Sequence, residues 1–125
     1  MNLALYIAAA LAVIIGLLHS YLGERYILIR LFRRNDLPKL FGGTAFTIRT
    51  LRFVWHILTV AWWGFAAILF QLGRADVSPG KIALIIGITF LLTGLIAFVV
   101  SRATHLAWII FVIIGGISLY AAQIL

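Results

Sequence analysis

The placement of charge along this chain constrains its fold more than any other feature. All thirteen Asp, Glu, Lys and Arg residues fall into three short zones: nine between Glu24 and Arg52, three between Arg74 and Lys81, and Arg102 alone. Between the zones lie four stretches with no formal charge, Met1–Gly23, Phe53–Gly73, Ile82–Ser101 and Ala103–Leu125, each 20 to 23 residues long. A helix needs about 20 apolar residues to cross the hydrocarbon core of a bilayer. Inside lipid the backbone must satisfy its own hydrogen bonds, and apolar blocks of this length do so only as helices. Spanning strands would instead alternate over segments of about ten residues, a pattern the sequence lacks. The chain therefore reads as an all-α polytopic membrane protein, a single four-helix transmembrane bundle. Its spans are expected near residues 3–23, 49–72, 81–101 and 104–124, with a basic loop over residues 24–48. Composition agrees: 65% of residues are hydrophobic and 10% charged, against about 45–50% and about 25% in soluble domains.

The first stretch has no Lys or Arg ahead of its apolar run, and positive charge follows it, so it reads as a retained helix rather than a cleaved signal. Eight basic residues, Arg25, Arg30, Arg33, Arg34, Lys39, Arg49, Arg52 and Arg102, fall on one side of the expected spans; Arg74 and Lys81 fall on the other. The positive-inside rule puts the eight in the cytoplasm and both termini on the non-cytoplasmic side, as in a bacterial inner membrane. Local signals mark the connections. Leu37-Pro38 and Gly42-Gly43 break the first loop, Thr44 or Thr47 can cap the second helix, and Ser78-Pro79 opens the third. Ser101–Thr104 leaves room only for a tight hairpin into a fourth helix that His105 would open. Tyr21–Arg34 reads as a short interfacial helix continuing the first span, with Ile27, Leu28, Leu31 and Phe32 dipping into lipid.

Membrane helices associate through close packing of small residues. The third span carries Ala83, Gly87, Phe90, Gly94, Ala97 and Ser101 at alternating steps of four and three, the period of a left-handed seam. The first span offers Asn2, Leu5, Ala9, Ala12, Gly16, His19 and Gly23, and the fourth offers His105, Trp108, Val112, Gly115, Leu119 and Ala122, with Gly116 leaving its face ambiguous. The second span is bulkier. Its polar stripe is Arg49, Arg52, His56, Thr59 and Trp63, and a compact left-handed bundle is expected from these seams.

Ionisable residues in apolar spans are costly and point to function. His19, His56 and His105 all fall in the half of the spans nearest the basic loop, and Glu24 follows His19 by five residues. Three imidazoles and a carboxylate suit a transition metal. Two imidazoles suit haem b, with Gly16 admitting the ring and Arg49, Arg52 and Arg102 meeting its propionates. Interhelical hydrogen bonding accounts for the same residues without any cofactor. The arginines likewise have two readings: a topological signal that leans on anionic phospholipid, or a specific anion site built from Arg25, Arg49, Arg52 and Arg102. Trp55 and Trp108 read as interfacial belt residues, and Trp62 and Trp63 as space-filling or as the wall of a ligand slot.

With no cysteine there is no disulfide, zinc ribbon, iron–sulfur cluster or thiol nucleophile. No acidic residue lies inside a span, which argues against a proton-coupled transporter built on a membrane-embedded carboxylate. Hydrolase, kinase and dinucleotide motifs are missing. The basic residues belong to a membrane face rather than a soluble module, which argues against nucleic acid as partner. What remains is a small membrane protein acting by interaction, as a homo-oligomer or as a subunit of a larger complex, with anionic lipid at its basic edge. The alternative is a metal- or haem-binding protein using the histidines.

Overall fold

The computed structural model describes residues 1–125. It contains four long helices: α1 (Leu3–Leu31), α2 (Ala45–Leu72), α3 (Pro79–Ser101) and α4 (Ala107–Ile124), each long and apolar enough to cross a membrane. The Asn2 side chain accepts the Ala4 N–H at 3.1 Å, supplying one of the backbone partners that the start of α1 lacks. The interfacial piece expected to continue the first span is the end of α1. The helix runs on through a π-helical turn at Gly23–Leu28 and stops at Leu31.

Helix α2 starts earlier than expected, at Ala45. Thr44 occupies its cap position without a side-chain hydrogen bond, while Thr47 lies within the helix and donates to the Pro38 carbonyl at 2.8 Å. Ahead of it, Leu40 and Gly43 exchange backbone hydrogen bonds across Phe41 (φ 54°) and Gly42 (φ 86°), a tight turn with two left-handed residues. Ser78 and Pro79 open α3 as the sequence indicates, with Ser78 Oγ accepting the Lys81 N–H at 3.3 Å. The hairpin after α3 passes through Arg102 (φ 53°) and Ala103 (φ 61°), two left-handed residues with side chains. That turn uses the residues expected to form the first turn of α4, so His105 does not open the helix. It sits in the connection, where its Nδ1 accepts the Ala107 N–H at 3.3 Å.

Neighbours in sequence are neighbours in space. Close backbone contact joins α1 to α2, α2 to α3, and α3 to α4, and no other pair of these helices. The arrangement is more open than the compact bundle expected from the seams, because each small-residue stripe is taken up by a single neighbour. Gly87 and Gly115 face each other across α3 and α4, and a Cβ on either would lie 3.0–3.1 Å from the other's carbonyl oxygen. A Cβ on Gly94 would meet Val112, Phe111 and the Trp108 carbonyl. Gly116 has open space around it, which settles the face that α4 presents. In α1, Gly16 lies under Trp63 and Thr59, so its seam is filled by α2 side chains and none remains for α4.

Only 16 residues are buried, Phe53, Leu28, Ala97 and Ser101 most completely, while Leu11, Phe65, Leu95 and Ile117 are more than half exposed. Apolar exposure on this scale marks surfaces that meet a membrane or another protein. The Asn2 N–H donates to the Gly73 carbonyl at 3.1 Å, and Gly80 lies beside Ala122 and Leu125. Both termini therefore share the end that carries Arg74, Asp76 and Lys81, and Glu24 and the first loop lie at the other.

Candidate functional site

The densest polar cluster forms where the π-helical turn of α1 meets the first half of α2. A π turn inserts an extra residue into the helix, and Ile29 accordingly donates its N–H to the Glu24 carbonyl five residues back. Gly23 permits the close approach that accompanies it, since a Cβ there would lie 2.1 Å from Trp55 Nε1. Trp55 Nε1–H donates to the His19 carbonyl at 3.1 Å, and His19 Nε2 reaches the Trp55 carbonyl at 3.2 Å. A carbonyl only accepts, so His19 carries its proton on Nε2. The two rings stack with centroids 4.5 Å apart and an interplanar angle of 4°. His19 thus clasps α1 to α2.

Glu24 extends toward α2 and accepts from Arg52 through both carboxylate oxygens, Nη2 to Oε1 at 3.0 Å and Nε to Oε2 at 3.3 Å. The Arg52 guanidinium also lies 4.9 Å from the centre of the Phe32 ring. His56 Nε2 approaches Glu24 Oε2 at 3.2 Å and its Nδ1 approaches Ser20 Oγ at 2.9 Å. Ser20 Oγ is 2.7 Å from Thr59 Oγ1, which reaches the Gly16 carbonyl at 3.2 Å. These four contacts run as one file from carboxylate to carbonyl and need four hydrogens between them. A neutral His56 with the two hydroxyls supplies three, so one contact is unfilled; a doubly protonated ring supplies the fourth.

Of the predicted stripe Arg49, Arg52, His56, Thr59 and Trp63, the last four are the face of α2 that meets α1, and Arg49 lines a cavity elsewhere. The four candidate ligands do not share one site, and no group of three His, Asp or Glu residues comes together to hold a metal ion. Glu24 and His56 touch. His19 is held by Trp55, and His105 is boxed by Phe46 and Phe53, with ring centroids at 5.7 and 5.0 Å. Both ring nitrogens of His56 are engaged, and no histidine lines the apolar cleft between α2, α3 and α4.

The arginines also separate. Arg52 is bound to Glu24, whereas Arg49 lines a different cavity of about 540 Å³ with Leu40, Phe41, Gly43, Phe46 and Thr104. Arg25 and Arg30 lie against the Tyr26 ring, and Arg102 occupies its left-handed turn. Of the expected anion-binding set, Arg25 lies on α1, Arg49 and Arg52 on α2 and Arg102 in the connection to α4, and Arg52 is the member paired with a carboxylate. Arg34 holds Asp36, whose carboxyl is lowered to about 2 chiefly by that hydrogen bond. At the opposite end Asp76 binds both Arg74 and Lys81, whose hydrogen bonds hold its carboxyl well below the usual range. Trp62 tilts onto His19, and Trp63 donates to the Val13 carbonyl at 3.3 Å. Both therefore serve the α1–α2 contact rather than a ligand slot.

Sequence reasoning missed the cleft between α2, α3 and α4, about 480 Å³ in volume and apolar in lining. Its signal was the pair Ala61 and Gly64 in an otherwise bulky helix. Comparison with protein-family models, with curated proteins and with solved structures finds no match to this chain. Fold and site together define a class, an all-helical protein with four helices of membrane-spanning length and a polar clasp between the first two.

Proposed function

We propose that this chain is an integral membrane protein of the bacterial inner membrane that acts by interaction. In this reading its basic end faces the cytoplasm and binds the headgroups of anionic phospholipids. The observation that supports it is the contrast between the two ends. Arg25, Arg30, Arg33, Lys39, Arg49 and Arg102 have no carboxylate partner, whereas Arg74 and Lys81 are both tied to Asp76. Unpaired cations beside an anionic membrane surface contribute about 1 kcal/mol each. The outer faces of α1 and α4 meet no other helix and provide the surfaces for lipid, a second copy or a larger membrane subunit.

Native mass spectrometry of protein extracted from mixed phosphatidylglycerol and phosphatidylcholine bilayers tests this. Retained lipid should be enriched in phosphatidylglycerol above its bulk share, and joint replacement of Arg25, Arg30, Arg33 and Lys39 by Gln should lower the enrichment. Retention at the bulk ratio in the unaltered protein would refute the reading.

A further inference from the structure

The cavity at Arg49 and the apolar cleft lie along one ridge of α2. Phe46 borders the first and Val54 the second, and Thr50 stands midway, four residues from each and so on the same helix face. Thr50 Oγ1 is buried with no hydrogen-bond partner. From Val54 to Ile68 the cleft follows α2 over about 21 Å of rise, more than half of a hydrocarbon core about 30 Å thick. Its volume, about 480 Å³, lies within the ~300–1,000 Å³ common for single-ligand pockets.

The lining selects for hydrocarbon. Thr89 and Thr93, its hydroxyl residues, donate to carbonyls of their own helix, Ile85 and Thr89, each at 2.8 Å. No polar group is left over for a ligand along the slot, whereas the end toward the first loop presents Arg49 without a carboxylate partner. An occupant must therefore be apolar for most of its length and anionic at one end. A second helix is a poor fit, because Phe65, Phe90 and Phe111 line the cleft where close helix approach calls for small residues. Gly64 does not relieve this, since a Cβ there would already meet Thr89 of α3 at 2.5 Å.

We infer that this ridge is a seat for one anionic phospholipid, with an acyl chain in the cleft between α2, α3 and α4 and the phosphate at Arg49. The inference rests on the reading of the basic end as a surface for anionic lipid, and adds a defined position for one lipid and its chain.

The test uses the full chain in phosphatidylcholine bilayers containing a minor phosphatidylglycerol with a photoreactive group midway along its acyl chain. Leu11 is the internal control, because it is 60% exposed and Phe65 is 62% exposed. Crosslinks should concentrate on Leu58, Phe65 and Phe111 well above the level at Leu11. Ala61→Phe should plug the cleft and bring those crosslinks down to the Leu11 level, with a partial loss in the milder Ala61→Val. Arg49→Gln should remove the preference for phosphatidylglycerol over a phosphatidylcholine probe of the same chain. Equal labelling of Phe65 and Leu11, or labelling indifferent to both Ala61 variants, would overturn the inference. So would equal cleft labelling by the two headgroups in the unaltered protein. Phe65→Cys supplies the chain's only thiol, and its oxidation to a disulfide dimer with the cleft unlabelled would assign the cleft to a second copy instead. Phosphatidylglycerol enrichment without cleft labelling refutes the lipid seat alone, whereas no enrichment at all refutes the reading of the basic end.

Discussion

Glu24 is the residue on which the contact between the two halves of the polar cluster depends. It joins the π-helical turn of α1 to two residues of α2, accepting from Arg52 at 3.0 Å and contacting His56 at 3.2 Å. Both members of the Arg52 pair are about one-third exposed, so the pair is neither a screened surface contact nor a fully desolvated one. Removing one partner leaves the other charge without compensation in a half-buried position, which costs more than losing the attraction itself. Glu24→Gln and Arg52→Gln should each destabilise the protein, and the double variant should lose less than the two losses combined. A coupling of about 1–2 kcal/mol is expected for residues in direct contact. Detergent unfolding in SDS, followed by tryptophan fluorescence from the neighbouring Trp55 and Trp62, measures each term. Strict additivity would show that the pair contributes nothing. That Glu24 mattered was legible in the sequence, because it is the one acidic residue beside a predicted span. Its partners were not, because the π turn that carries it toward α2 leaves no pattern in residue spacing.

At the scale of the helices, small residues decide which faces meet. Gly115 and Gly116 are adjacent and chemically identical, yet only Gly115 lies against α3, where a Cβ would fall 2.7 Å from Leu91 and 3.0 Å from the Gly87 carbonyl. Gly116 faces open space. Gly116→Ala should therefore stabilise α4 by about 0.5–1 kcal/mol through helix propensity alone. Gly115→Leu should force α3 and α4 apart and cost about 1–3 kcal/mol. Unfolding in mixed micelles separates the two, and equal effects would contradict the packing of this pair. The seams of α1, α3 and α4 were readable because small residues recur at a helical period in long apolar runs. Which helix would fill each seam was not readable. Trp63 covers Gly16 and Trp55 covers Gly23 because the indoles of α2 reach backbone carbonyls of α1, at Val13 and His19. A small-residue stripe signals that something packs closely, without saying whether the partner is another small stripe or a large ring.

For the molecule as a whole, the order of the helices and the placement of charge lead to one expected topology. Each helix packs against its neighbours in sequence, so successive helices run in opposite directions and both termini share the end that holds Arg74, Asp76 and Lys81. That end has two basic residues and one acidic residue, and the other end has eight basic and two acidic. Orientation follows the basic residues near span ends, with acidic ones contributing little, so the excess should hold the first loop in the cytoplasm and the termini outside. Because the chain has no cysteine, single replacements report position cleanly. Lys39→Cys should be shielded from a membrane-impermeant maleimide in intact cells and react after permeabilisation, whereas Ala75→Cys should react in both. Replacing Arg25, Arg30, Arg33, Arg34 and Lys39 together by Gln removes most of the asymmetry but leaves all four spans intact. That variant, carrying Lys39→Cys in place of Lys39→Gln as its reporter, should insert in both orientations and be labelled in part from outside. If orientation stays single after this neutralisation, the basic loop is not what sets topology, and its unpaired arginines would then be explained by lipid binding alone.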